Sequence, residues 1–116
     1  MKKDYGNSQV LMCDYTQAKE IKVVLSEIAD QVAGRLRHHQ VQGEVVSVGI
    51  DYADAEEAGT SGFGVQMKID PTNRTDDLIR AARYLFHSKW NGHAVRNVSV
   101  RVNRISLASS MQLSLF

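Results

Sequence analysis

The chain has 116 residues, room for one compact domain, and its 43% hydrophobic and 23% charged residues are ordinary for a globular protein. One cysteine, Cys13, excludes an internal disulfide, and no apolar run approaches the length of a membrane span. Net charge is +1, divided as −4 over residues 1–58 and +5 over residues 59–116; taken alone, that asymmetry is better explained by scatter over a solvated surface than by an anionic partner.

Ser8-Gln9-Val10-Leu11-Met12-Cys13 is a short apolar run and reads as a first strand. The clearest helix follows. Ile21, Val24, Leu25, Ile28, Val32 and Leu36 recur at three- and four-residue steps, while Lys22, Glu27 and Asp30 fall outside that stripe. Thr16 stands where a cap is needed, its hydroxyl able to accept from an unpaired backbone N–H. The polar segment Arg37-His38-His39-Gln40 ends the helix, and Gly43 closes the connection. Period-two alternation marks three further strands: Val46, Val48, Ile50 and Tyr52; Phe63, Val65, Met67 and Ile69; Val98, Val100 and Val102. An acidic, glycine-containing loop, residues 53–61, separates the first two of these. After Pro71-Thr72-Asn73-Arg74 a second helix is expected, capped by Thr75, with Asp76 and Asp77 complementing its dipole. Its buried side is Leu78, Ala82, Leu85, Phe86 and Trp90, and Asn91-Gly92 stops it.

The resulting order, β-α-β-β-α-β, predicts an α+β fold of the split βαβ, ferredoxin-like kind. It comprises a four-stranded antiparallel or mixed sheet, with two helices on one face and an open polar face opposite. On the open face the last strand presents Asn97, Ser99, Arg101 and Asn103, and the third presents Gly62, Gly64, Gln66 and Lys68. Neither set contains a carboxylate, which is what a surface facing phosphates requires. Residues 1–107 are expected to form the domain, and 108–116 a flexible tail whose first four residues, 108–111, serve as a linker.

Catalytic constellations are not expected. Asp51, Asp54, Glu56 and Glu57 are closely spaced carboxylates of a kind that can bind Mg²⁺, but they lie largely in a loop without a partner base, so a solvated hairpin is the better account. His38 and His39 are adjacent, and His87 and His93 have no thiol nearby, which argues against a metal centre. Cys13 lacks an activating neighbour.

The chain closes with Gln112-Leu113-Ser114-Leu115-Phe116, too short an apolar segment to bury its own Leu115 and Phe116. It resembles the bacterial sliding-clamp-binding peptide, Gln-Leu-(Ser or Asp)-Leu-Phe, at all five positions. The rest of the chain resembles one family in the same order of segments. Lys3-Asp4-Tyr5-Gly6-Asn7-Ser8-Gln9 is similar to the lysine-then-glycine lead-in of the first little-finger strand of Y-family polymerases. Asp14-Tyr15-Thr16 and Pro71-Thr72-Asn73-Arg74-Thr75-Asp76-Asp77-Leu78 resemble the approaches to the two helices, and Val95-Arg96-Asn97-Val98-Ser99-Val100 the last strand. By these segments the chain is identified as resembling the little-finger domain of UmuC/ImpB-like translesion DNA polymerases.

The resemblance implies non-sequence-specific binding of template-primer duplex, through backbone amides and basic side chains. The implied contacts are Gly6, Asn7, Ser8 and Gln9 in the first strand, Gly64 and Gln66 in the third, and Arg96, Asn97, Ser99 and Arg101 in the fourth. Lys68 and Asn103 join them from the open face. Gln112, Leu113, Ser114, Leu115 and Phe116 would dock on the sliding clamp. The chain would not be an enzyme by itself and would need no cofactor, Mg²⁺ belonging to the polymerase palm. It would be monomeric, cytoplasmic and nucleoid-associated when bound to DNA, with no membrane partner. Departures from the family pattern are Asn7, where a basic residue is common, Gly64-Val65-Gln66, where another is, and Ser99, commonly glycine. They predict a weak electrostatic grip. A ferredoxin-like regulatory or small-ligand-binding domain is the stronger rival but leaves the last five residues unexplained. An RNA-recognition module would need aromatics on the open face, whereas Tyr52 and Phe63 fall on the apolar one.

Overall fold

A computed structural model describes residues 4–108, apart from the side chains of Met12 and Cys13. In chain order the elements are β1 (Tyr5–Tyr15), α1 (Ala18–His38), β2 (Val41–Tyr52), α2 (Ala55–Ala58), β3 (Gly62–Thr72), α3 (Thr75–Lys89), β4 (Val95–Asn103) and β5 (Ser106–Leu107). The main sheet runs β1-β4-β2-β3 with every pairing antiparallel. Both crossovers are therefore split: β4 lies between β1 and β2, and β2 lies between β3 and β4. The short β5 pairs with the first residues of β2, Val41 opposite Leu107 and Gln42 opposite Ser106.

Alternation fixes which side of the sheet is oily. Val46, Val48, Ile50 and Tyr52 of β2 and Val98, Val100 and Val102 of β4 are buried beneath the two long helices. From α1 they meet Ile21, Leu25, Ile28, Val32 and Leu36, and from α3 Leu78, Ala82, Leu85 and Phe86. Trp90 stacks on Phe86 at 5.0 Å and donates its indole N–H to the His93 carbonyl at 3.0 Å, so it belongs to the core margin. Phe63, Val65, Met67 and Ile69 of the edge strand β3 are only partly buried, because α3 overhangs that edge incompletely. Tyr52 and Phe63 sit together on this side, ring centres 6.1 Å apart, away from the open face.

Several local expectations are corrected. Gln17, not Thr16, is the residue before α1, and it makes no side-chain cap. Its carbonyl accepts from Glu20 and Ile21, the work an N-cap backbone does in any case. Thr75 is the first residue of α3 rather than its cap. Its hydroxyl instead donates to Asp30 at 3.0 Å and accepts from Arg37 at 3.1 Å, tying α3 to α1. Thr72 takes over near that end, accepting from the Arg74 N–H at 3.0 Å and donating to Asp77 at 2.6 Å. Gly43 lies inside β2, where an added Cβ would come within 2.2 Å of Val102. The turn that ends α1 falls instead on Gln40, which adopts φ 57°. Within the 53–61 connection Asp54 accepts from Glu56 and Glu57 and starts the one-turn α2. The first strand extends well beyond residues 8–13 at both ends.

Candidate nucleic-acid interface

The register turns the open face into lateral rows. Ser8 stands opposite Ser99, Ser99 opposite Gly49, and Gly49 opposite Gly64, so one row across all four strands holds only serine and glycine. Beside it runs Gly6, Arg101, Ser47 and Gln66, and on its other flank Val10, Asn97, Asp51 and Gly62. Strands stand about 4.8 Å apart, so the small-residue row is a trench about 14 Å long at right angles to the strands. Its floor has two different causes. At Gly49 a Cβ would come within 2.6 Å of the Ser99 hydroxyl, so a larger residue there requires that hydroxyl to rotate away. At Gly64 a Cβ would meet nothing within 4 Å, so packing demands nothing.

Most of the proposed contact residues share this surface: Gly6, Ser8, Gly64, Gln66, Lys68, Asn97, Ser99, Arg101 and Asn103. Asn7 and Gln9 do not. They stand opposite Val100 and Val98, whose side chains point to the helices, and the Asn7 amide donates to Gln31 of α1. Taking consecutive residues of one strand as a single contact set overlooks the period-two flip. The Gly6 carbonyl is likewise engaged within the domain, by the Arg35 guanidinium. Arg96 is the extra residue of a β-bulge, for Asp51 and Tyr52 oppose Asn97 and Val95 and skip it. It faces Asp14 at 3.4 Å.

Charge is sparser than composition suggests. Lys68 and Arg104 both lie against Glu44, at 3.8 and 3.6 Å. Asp51 stands on the open face itself and accepts from the Asn97 amide at 2.9 Å. Arg101 is exposed and forms no ion pair among the described residues. Ser47, Gly49 and Asp51 were legible as the odd positions of β2, by the alternation that marks Val46 and Val48. Glu44 and Arg104 carried no such signal, since a register shift in β2 and a turn at Arg104, φ 59°, bring them to the face. Among the described residues no group of three or more His, Cys, Asp or Glu side chains could hold a metal ion, and no helix is long and apolar enough to cross a membrane. Residues 112–116 lie outside the described residues.

Residues 2–115 match the impB/mucB/samB family C-terminal domain. The chain belongs to that family. Among its relatives are a putative UV-damage repair protein, UvrX, of Bacillus subtilis, 43% identical over 113 residues, and DNA polymerase IV 2 of the same organism, 40% identical over 116. These alignments cover 97% and 98% of this chain but 27% and 28% of the relatives, so the chain spans a little over a quarter of their length. The little finger domain of PolIV, solved in complex with the beta-clamp processivity factor, superposes with a TM-score of 0.67 at 17% identity, covering 86% of each chain. A post-insertion binary complex of Dbh DNA polymerase superposes with a TM-score of 0.74 at 14% identity, covering 91% of this chain and 30% of the other. At those identities the likeness is one of fold, and the fold is that of the little finger.

Proposed function

We propose that this family domain grips the phosphate backbone of template-primer duplex on its open sheet face, as the DNA-binding module of a longer translesion polymerase. The observation that carries the reading is the trench Ser8–Ser99–Gly49–Gly64 with Arg101 beside it, free of any ion pair among the described residues. A floor without long side chains lets a backbone come close, and Arg101 supplies a permanent charge at its wall. Catalysis, with its metal ions, is assigned to the rest of such a protein. The relatives named as DNA polymerases support that division.

Residues 1–107 are the gripping unit in this reading; Ala108 is still buried and donates its N–H to the Gln40 carbonyl at 3.0 Å, and the tether follows it, with Gln112, Leu113, Ser114, Leu115 and Phe116 docking on a sliding clamp. The neighbour solved with a clamp supports that partner. A tether of this kind raises the local concentration of the polymerase at the primer end without new contacts by the domain itself. The test is a titration of labelled primer-template DNA at several salt concentrations, with and without purified clamp. A trench that meets two to four phosphates gives a slope of log K against log salt of about −2 to −4. Binding without salt dependence, or none at low salt, overturns the reading.

A further inference from the structure

Among the described residues, four cations stand on or beside the open face: Lys68, Arg96, Arg101 and Arg104. Three of them are held opposite a carboxylate, and two share the same one, Glu44. We propose that Glu44 is an internal competitor for phosphate, occupying Lys68 and Arg104 until DNA displaces it and so holding the grip of the domain below what its cations could deliver. The proposal rests on the DNA-binding reading above.

The geometry sets Glu44 apart from an ordinary surface ion pair. Val45 stands opposite Lys68 on one side and Asn103 on the other, so Lys68 belongs to the last row of the open face, with Glu44 and Arg104 next to that row in sequence. Glu44 is the better anchored member, its side chain 23% exposed against 68% for Lys68 and 65% for Arg104. The cations are thus the mobile members, long stems that can swing from a carboxylate to a nearby phosphate. Both contacts are longer than a hydrogen bond, so releasing them costs little. Arg104 is brought to this position by a left-handed backbone, φ 59°, which a non-glycine residue adopts at some cost. That turn sets Arg104 across β2 from Lys68 with the carboxylate between them.

Glu44→Gln keeps the side chain's size and removes its charge. Duplex titrations of the wild type, Glu44→Gln, Lys68→Ala/Arg104→Ala and the triple variant, with Arg101→Ala alongside and melting temperatures recorded for all, test the proposal. Glu44→Gln is expected to bind primer-template about three- to tenfold more tightly. Its salt slope should stay close to the wild type's, because the same phosphates are neutralised once DNA has displaced Glu44. In the Lys68→Ala/Arg104→Ala background the gain should vanish. Unchanged affinity in folded Glu44→Gln, or a gain that persists without Lys68 and Arg104, overturns the competitor role even though Arg101→Ala still weakens binding. If Arg101→Ala also leaves binding unaltered, the DNA-binding reading itself fails and the competitor role with it.

Discussion

Gly64 separates what the fold needs from what the function needs. It lies in the edge strand β3 at the end of the small-residue trench, it is exposed, and a Cβ built on it meets nothing within 4 Å. Its φ is not in the left-handed region, so alanine fits its backbone. Gly64→Ala removes conformational freedom from the unfolded chain and should stabilise the domain by about 0.4–1 kcal/mol. For a domain near this size that raises Tm by roughly 2–6 °C. Binding should move the other way. A methyl group on the trench floor keeps a phosphate from its closest approach, and a lost hydrogen bond to a charged group is worth about 1.5–3 kcal/mol. That corresponds to a loss of about tenfold or more in affinity. Gly64→Glu adds a carboxylate at the same spot and should weaken binding further without unfolding the domain. Thermal melts and fluorescence-anisotropy titrations at fixed salt read the two quantities on the same samples. If Gly64→Ala melts higher and binds duplex as the wild type does, no backbone approaches β3 there and the trench is not the contact surface.

Other outcomes follow from the same structure. Arg101→Ala should weaken binding about equally across duplex sequences and reduce the salt slope by about one unit; a loss confined to particular sequences would mean that Arg101 reads bases. Gln40→Gly should raise stability by about 1 kcal/mol in a thermal or denaturant melt, because Gln40 holds a left-handed conformation at the end of α1 where glycine carries no Cβ penalty. Replacing Leu115 and Phe116 together by alanine should abolish clamp binding in a pull-down or titration and leave Tm nearly unaltered. A large fall in Tm would make those two residues part of the core.

Periodicity made the sheet's two faces legible before any coordinates. Every residue expected on the oily side of β2 and β4 is buried, and the expected open-face residues of β3 and β4 do lie on one surface. An amphipathic stripe likewise located both long helices, since burying Ile21 through Leu36 or Leu78 through Phe86 dictates one orientation each. What stayed hidden is what periodicity does not encode. The strand order β1-β4-β2-β3 and its register bring Ser8, Ser99, Gly49 and Gly64 into one row, though they are scattered along the chain. Bulges shift the count at Arg96 and before Val45, so the residues there escape simple alternation. Each cap falls one residue from the expected threonine: Gln17 precedes α1, and Arg74 precedes α3, whose first residue, Thr75, bridges the helices instead. The two-residue β5 is too short to leave a sequence pattern.

The departures from the family pattern that predicted a weak grip, Asn7 and the Gly64-Val65-Gln66 segment, prove to have different meanings. Asn7 points to the helix side, so a basic residue at that position would not reach the open face through its side chain. Gln66 does point to the open face, in the row with Arg101, and there a neutral residue does lower the local charge. The strength of the grip therefore depends less on how many cations the chain carries than on how many the face leaves free. In the proposed grip, with Glu44 and Asp14 opposing three of them, Arg101 would be the permanent anchor, and the others would contribute only as phosphate wins them from a carboxylate. A module arranged this way would hold duplex briefly wherever it met it. Lasting residence at a primer end would have to come from a second attachment, which is the part assigned to residues 112–116.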